Sequence, residues 1–262
     1  WGEVDDDESI HAIYKALEMG VTFFDTANVY GAGHSEKVLA RAFAGKRQDV
    51  VIATKAGGDS PLIRGGVGYS PENILDILDG NLQRLGTDYI DLYQLHWPMR
   101  GSYAFRQNWR FDPSGQDRAQ TLDHMAGVLE KLKQAQDDGK IRAFGLSNES
   151  AWGTTKWIDI AEKIVAPRVA SVQNEYSLLC RLYDTDMAEM SMNEDVGLLA
   201  FSPLAAGLLT GKYQGGKVPE GSRMSINDQM GGHASDRVLP VAQVYLDIAE
   251  KHGLDPVHMS LA

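Results

Sequence analysis

The sequence contains very little cysteine and no long apolar segment. Cys180 is the single cysteine among 262 residues, so no intrachain disulfide can form, which is typical of proteins from reducing compartments. No uncharged apolar run reaches the roughly 18 residues that a membrane-spanning helix needs. The opening residues WGEVDDDES do not resemble a signal peptide. We therefore expect a cytoplasmic protein that does not insert into membranes.

Basic residues are also scarce. Lys and Arg total 25 against 36 Asp and Glu, a formal net charge of −11. Because no basic patch stands out, nucleic acid is not an expected partner, and anionic membrane surfaces are disfavoured. Neither an HExxH motif nor a pair of cysteines is present, so no metal site is expected. The acidic run at residues 5–8 precedes a helical pattern, where helix capping is favoured over metal binding.

Short β-rich segments alternate with helical ones along the chain. Helical spacing of apolar residues predicts, for example, a helix that is capped by Ser70, begins at Pro71 and ends at Gly86. Strict alternation of this kind predicts a doubly wound sheet or a (β/α)8 barrel. The predicted strands are short and largely apolar, as in a parallel sheet buried on both faces, and cover residues 21–25, 49–54, 89–95, 141–147, 170–174 and 197–202.

Two features favour the barrel. The GxGxxG fingerprint of a dinucleotide-binding doubly wound domain does not follow the first predicted strand. In addition, five successive strands end in polar or reactive residues, and in a barrel all of these ends meet on one face. The residues at these ends are Asp25, Lys55, His96, Ser147 with Asn148, and Gln173 with Asn174.

We therefore predict one α/β domain over residues 1–262, a (β/α)8 TIM barrel. Trp1 stands where a first strand would already be finishing, and Ala262 falls in a helical segment that starts near Val238. The expectation is that the chain lacks most of the first strand and the C-terminal eighth βα unit.

The third interval between strands is the longest and predicts an inserted loop at about residues 98–120. This loop would close over a substrate, although an ordinary packed surface loop is the alternative. Its aromatic residues alternate with Arg100, Arg106 and Arg110, which hints at aromatic or anionic substrates. The aromatic residues are Tyr103, Phe105, Trp109 and Phe111, and the substrate-binding candidates are Trp1, Trp97, Tyr103 and Trp109.

Four side chains near the strand ends suit proton transfer to a carbonyl. Tyr30 is a weak acid with a reference pKa of about 10, and the ammonium of Lys55 beside it would lower that pKa. Asp25 would supply the counter-charge of the lysine, and His96 would orient a carbonyl. Each residue also has an ordinary structural interpretation, as a turn cap, a packed aromatic, an extended lysine or a half-buried imidazole. Together they favour one reactive site.

Six motifs resemble, in order, the successive strand-end motifs of the aldo-keto reductases, most closely the bacterial branch similar to potassium-channel β subunits. They are FFDTANVYG, IATKAG, DLYQLHWP, GKIRAFGLSNES, VQNEYSLL and LLAFSPLAAGLLTGKY. The resemblance extends from Trp1 to Ala262. It implies a (β/α)8 barrel, a catalytic tetrad and NADPH bound without a Rossmann fold. The tetrad would be Asp25, Tyr30, Lys55 and His96.

The resemblance also implies a set of cofactor-binding residues. Ser147, Asn148 and Gln173 would hold the nicotinamide carboxamide, and Phe201 would stack on the ring. The next loop would fold over the pyrophosphate, with candidates Ser202, Leu204, Gly207, Lys212 and Arg223. The family reads the adenosine end of the cofactor with residues that follow the eighth strand, so the preference for NADPH rests here on the resemblance alone.

The resemblance implies NADPH-dependent reduction of aldehydes or ketones to alcohols, with Tyr30 as general acid and a small carbonyl compound as partner. One alternative is a nucleotide-binding regulatory subunit of the channel β type with little turnover. Another is an unrelated barrel isomerase or lyase that works without a nicotinamide. The chain is expected to be a monomer or a homo-oligomer.

Overall fold

A computed structural model of the chain describes residues 5–57, 68–104, 107–230 and 232–262. Within these ranges, six strands form one parallel sheet in which each strand pairs with its neighbours along the chain. All six predicted strands are confirmed, with ends that differ from the prediction by at most two residues. The strands are β1 (Phe23–Asp25), β2 (Val51–Ala56), β3 (Ile90–Leu95), β4 (Ile141–Ser147), β5 (Val169–Glu175) and β6 (Gly197–Phe201).

Helices follow the strands and cover the sheet. The acidic run caps the first helix as predicted, because the Asp5 side chain accepts from the backbone N–H groups of Asp7 and Glu8. The helices in the described ranges are α1 (Asp6–Glu18), α2 (His34–Ala42), α3 (Ile74–Leu85), α4 (Arg118–Asp137), α5 (Ala151–Ile164), α6 (Asp186–Glu194), α7 (Arg223–Ile226), α8 (Val238–Lys251) and α9 (Pro256–Leu261). No helix in the described ranges is both long and apolar enough to cross a bilayer.

Two helix boundaries differ from the prediction. Helix α3 begins at Ile74 rather than Pro71, because Asn73 accepts from the backbone N–H of Ser70 and holds these residues in a turn. The helical segment expected from Val238 to the end of the sequence is two helices. They are separated at Gly253, whose φ of 65° lies in the left-handed region, and Asp255 caps the second one.

The main core lies between the sheet and its helices. Strand β3 is buried along its whole length, and α3 and α4 each place an apolar stripe against this side of the sheet. A smaller cluster lies under the loop that follows β6 and packs against α8. Its buried members are Ala205, Leu208, Leu209, Tyr213 and Met230.

The sheet is strongly curled. Asp25 at the end of β1 accepts a hydrogen bond of 3.0 Å from Gln173 on β5, four strands away. In a flat sheet these strands would be roughly 19 Å apart, since neighbouring strands are separated by about 4.8 Å. The curl gathers the carboxyl ends of the strands around one concave face. The doubly wound alternative is excluded, because such a sheet reverses its strand order at a switch point.

Candidate active site

The loop after β1 turns Tyr30 back over the strand ends. Asp25 is the last residue of β1, and Tyr30 begins a short 3-10 turn. The backbone N–H of Tyr30 donates to the Ala27 carbonyl at 3.1 Å. Gly33 has a φ of 87°, and a Cβ there would lie 2.7 Å from Cδ of Arg84. The turn therefore requires glycine at this position, both for its backbone conformation and for its contact with α3.

Lys55 lies at the centre of the site. Its side chain is fully buried and donates to Asp25 Oδ2 at 2.5 Å and to the Thr26 carbonyl at 2.7 Å. Its Nζ is also 3.4 Å from the Tyr30 hydroxyl and 4.9 Å from the centre of the Tyr30 ring. The structure thus brings lysine, aspartate and tyrosine together as the sequence predicts. Burial lowers the pKa of Lys55, while the charge and hydrogen bond of Asp25 oppose this change.

His96 completes the group from the neighbouring strand. It follows β3, and its backbone N–H donates to the Ala56 carbonyl at 3.0 Å. Its ring meets the Tyr30 ring edge-on, with 5.8 Å between centroids and 83° between planes. Asn148 donates to the His96 carbonyl at 2.9 Å and so fixes the backbone that carries the imidazole.

The pKa of His96 is lowered to about 3, first by burial and second by the charge of Lys55. We expect the imidazole to stay neutral from pH 8 down to pH 5, so that it gives a hydrogen bond rather than a positive charge. An NMR titration of the imidazole in wild type, assigned with His96→Asn, checks this. An inflection near the ordinary value of about 6.5 would contradict it.

The same lowered pKa affects stability. Below about pH 6.5 the unfolded chain binds a proton on this imidazole and the folded chain does not. His96 therefore makes folding less favourable as the pH falls from about 6.5 towards 3, and His96→Asn should reduce that part of the acid sensitivity. The measurement is the free energy of unfolding in urea at a series of pH values.

The pKa of Tyr30 is shifted in the direction opposite to the prediction. Burial raises it to about 12, and the charge of Asp25 adds to this effect. The prediction was wrong because the positive charge of Lys55 is already paired with Asp25 at 2.5 Å. Tyr30 is therefore protonated throughout the neutral range, which is the form that can donate a proton.

The other carboxylate oxygen of Asp25 accepts a hydrogen bond from Gln94, a residue that the sequence analysis did not identify. Asp25 Oδ1 accepts from the side-chain amides of Gln94 and Gln173, each at 3.0 Å. Gln94 is fully buried on β3. The available signal was a polar residue within the otherwise apolar segment LYQL, two positions before the histidine.

The residues expected to hold a carboxamide lie together beside this group. Ser147 donates to the Gln173 carbonyl at 2.9 Å, and Asn148 donates to the Ser147 hydroxyl at 3.1 Å. Asn148 Oδ1 is buried and has no hydrogen-bond partner within the described ranges, which leaves it able to accept from an amide N–H. These side chains therefore fit the carboxamide of a nicotinamide.

The loop after β6 also has the form expected of an anion site. Gly207 has a φ of 97°, and a Cβ there would lie 3.2 Å from Nζ of Lys212, so the loop places an ammonium against bare backbone. Ser202, with a φ of 53°, lies at the start of the same loop, beside Leu204 and next to Phe201 at the end of β6. A bare backbone beside an ammonium suits a phosphate. Arg223 begins the separate helix α7.

The predicted substrate-binding residues do not lie together as the tetrad residues do. Tyr103 packs edge-on against Phe111 and lines a cavity of about 530 Å³ with Cys180 and Tyr183, whereas the side chain of Trp109 is 92% exposed. No tetrad residue is among the described residues that line this cavity. Trp97 is half-buried next to His96. Trp1, Phe105 and Arg106 lie outside the described residues.

Arg100 anchors the inserted loop to the residues that follow β4. It is paired with the buried carboxylate of Glu149, including a hydrogen bond of 3.0 Å to Oε2, and its guanidinium lies 5.1 Å from the centre of the Trp152 ring. Because Glu149 neutralises the charge of Arg100, this arginine does not add support to the expectation of an anionic substrate. No group of three or more potential metal ligands occurs in the part of the chain that the structure describes.

Comparison of the whole chain with known proteins identifies its family. A family model described as "Aldo/keto reductase family" matches residues 1–262. The chain belongs to the aldo/keto reductase family. This reductase is 36% identical over 276 residues to Protein tas of Escherichia coli, a match that covers 100% of the chain and 79% of the relative.

Two further relatives differ in what their names describe. An NADH-specific methylglyoxal reductase of Escherichia coli is 30% identical over 236 residues, which covers 85% of the chain and 64% of that protein. A putative voltage-gated potassium channel subunit beta of Schizosaccharomyces pombe is 30% identical over 266 residues, covering 96% and 70%. The predicted family is confirmed, and the chain is an oxidoreductase of a family that uses nicotinamide cofactors.

Proposed function

We propose that this reductase converts aldehydes or ketones to alcohols with NADPH and that Tyr30 is the proton donor. The observation that carries the proposal is the pair formed by the buried Lys55 and Asp25, with the ammonium 3.4 Å from a tyrosine hydroxyl that is protonated at neutral pH. An ion pair with a purely structural role does not need a half-exposed tyrosine and a neutral histidine beside it. A site that protonates a carbonyl oxygen needs both, one as the proton donor and the other as a hydrogen-bond donor.

A bound nicotinamide cofactor would supply the hydride that the carbonyl carbon receives. Tyr30 gives its phenolic proton to the oxygen, which becomes a strongly basic alkoxide as its charge develops. Lys55 stabilises the phenolate that remains, and Asp25 keeps the lysine in place and charged. Neutral His96 donates a hydrogen bond that orients the carbonyl. Proton and hydride together complete the alcohol.

The cofactor is held by two groups of residues in this proposal. Ser147, Asn148 and Gln173 would bind the carboxamide, and Phe201 would stack on the ring. Ser202, Leu204, Gly207 and Lys212 would bind the pyrophosphate, with Arg223 as a further candidate. Parallel titrations with NADPH and NADH, followed by the quenching of protein fluorescence, decide the preference. This comparison matters because one relative is named as NADH-specific.

We also propose a fold, a substrate loop, a cellular location and an oligomeric state for this protein. The curl and sequential order of the six strands support a (β/α)8 barrel as a single domain. The loop at about residues 98–120 is proposed to carry substrate contacts through Trp97, Tyr103 and Trp109, with Trp1 as a further candidate. A cytoplasmic location is supported by the single cysteine. The protein is proposed to act as a monomer or homo-oligomer.

The test is NADPH oxidation with a panel of small aldehydes and ketones. Turnover by wild type that collapses in Tyr30→Phe supports the proposal. The second candidate is a nucleotide-binding regulatory subunit, which is favoured by the similarity to a putative channel subunit. Tight NADPH binding without turnover on any carbonyl, together with a stable complex with another protein on native purification, would favour that role.

A further inference from the structure

Gln94 lies beside Lys55 on the concave face. The two residues are partners in the register of β2 and β3, so their side chains project to the same side of the sheet. Both are fully buried, and both reach Asp25 from this layer. Lys55 donates to Asp25 Oδ2 at 2.5 Å, and Gln94 donates to Asp25 Oδ1 at 3.0 Å.

The neighbouring strand leaves room for this side chain. Gly145 is the partner of Gln94 in the register of β3 and β4. A Cβ at Gly145 would lie 3.2 Å from Cγ of Gln94 and 3.0 Å from Oγ of Ser171 on β5. A glycine at this position therefore accommodates a long amide in the layer that also contains Lys55.

The geometry points to Gln94 as a positioning residue for the reduction. Its amide N–H and that of Gln173 hold one oxygen of Asp25, which fixes the rotation of the carboxylate and directs its other oxygen at Lys55. Gln173 is also a candidate cofactor ligand, whereas Gln94 lies a layer below and is not. This inference rests on the proposed role of the tetrad.

The rotation of Asp25 matters because a buried ammonium needs a well-placed partner. The charge and hydrogen bond of Asp25 oppose the effect of burial on the pKa of Lys55, and the buried carboxylate of Glu36 adds to this from α2. The other charged or titratable groups that face the lysine are Tyr30 and His96. Loss of the Gln94 hydrogen bond would loosen Asp25 and lower the pKa of Lys55 further.

The first experiment measures the pKa of Lys55 by NMR in protein with labelled lysine, assigned with Lys55→Arg. We expect it to be lower by about one pH unit in Gln94→Leu than in wild type. Ser171→Ala is the matched control, because it removes a buried polar group from the same layer that does not contact Asp25. An unchanged value in Gln94→Leu would overturn the inference. The readout needs no turnover, so it stands even if the proposed reductase activity is absent.

The second experiment measures kcat against pH. Gln94→Leu should lower kcat about tenfold, with NADPH affinity within about twofold of wild type by fluorescence, and its alkaline limb should move to lower pH. Gln94→Glu can donate to Asp25 only while protonated. Its kcat should therefore fall as the pH rises, with an inflection that wild type does not show.

Each outcome has a separate meaning. Wild-type turnover with unchanged pH profiles in both Gln94 variants contradicts the positioning role and leaves the reductase intact. If Gln94→Leu does not fold, as judged by circular dichroism, the Gln94→Glu profile decides within one variant. An active Gln94→Glu without the new inflection then overturns the inference. A wild type that binds NADPH but reduces nothing contradicts the proposed function, and the pKa of Lys55 still decides the role of Gln94.

Discussion

Replacement of Tyr30 by phenylalanine should lower kcat for aldehyde reduction by about a thousandfold, within the range of general acid catalysis. The phenylalanine ring can keep the edge-on contact with His96 and the position over Lys55, so the site should stay assembled. Only the proton donor is lost. NADPH oxidation measures kcat, and fluorescence quenching should show dinucleotide affinity within about twofold of wild type, as for loss of an interaction made only in the transition state.

Tyr14→Phe is the matched control for this experiment. It removes the same hydroxyl group from a half-buried tyrosine that donates to the Ala42 carbonyl at 2.9 Å, away from the strand ends. Its effect should be on stability, by about 1 kcal/mol, with kcat unchanged. Turnover that survives in Tyr30→Phe would move the proton donor to His96 or to solvent and would remove the main support for the mechanism.

Replacement of Glu36 by alanine should lower the free energy of unfolding by about 3–5 kcal/mol, the cost of removing one partner of a buried ion pair. Glu36 is fully buried on α2. Its Oε1 accepts from Thr54 and from Asn81, and its Oε2 accepts from Arg84, each at 2.6 Å. Loss of the carboxylate leaves these donors without their acceptor beneath the sheet.

The same carboxylate connects the core to the reactive group. Arg84, which it holds, packs against Gly33 at the end of the Tyr30 turn, and Thr54 precedes Lys55 on β2. Urea denaturation measures the stability of Glu36→Ala. Glu18→Ala is the control, because Glu18 forms an exposed pair with Lys15 and its removal should change little. Equal stability of the two variants would show that water replaces the lost carboxylate.

Glu36 shows why part of the site could not be predicted. In the sequence it lies in the segment HSEKVLARA, next to a lysine, and a glutamate in such a charged stretch is expected to be exposed. Its burial depends on the packing of α2 and α3 against β2, which brings Asn81 and Arg84 to it from 45 and 48 residues away. Periodicity indicates that a helix exists and which stripe is apolar, but not which charged residue meets a partner across two elements.

The tetrad could be predicted to a greater extent. Asp25, Lys55 and His96 each end an apolar strand, and parallel strands bring their carboxyl ends together, so their proximity follows from local patterns. The direction of the pKa of Tyr30 does not. That direction depends on the pairing of Lys55 with Asp25 and on how far the Tyr30 hydroxyl is removed from water, and both are results of tertiary packing.

The sequence by itself determined the alternation of strands and helices, the order of reactive residues along the chain and the family, because these depend on local periodicity and on motifs of contiguous residues. The tertiary structure alone decided which hydrogen bonds link distant strands. The curl that places Gln94 and Gln173 on one oxygen of Asp25 is one such result, and the pairing of Arg100 with Glu149 is another. Contacts of this kind depend on the closeness of residues far apart in the chain, which local sequence does not specify.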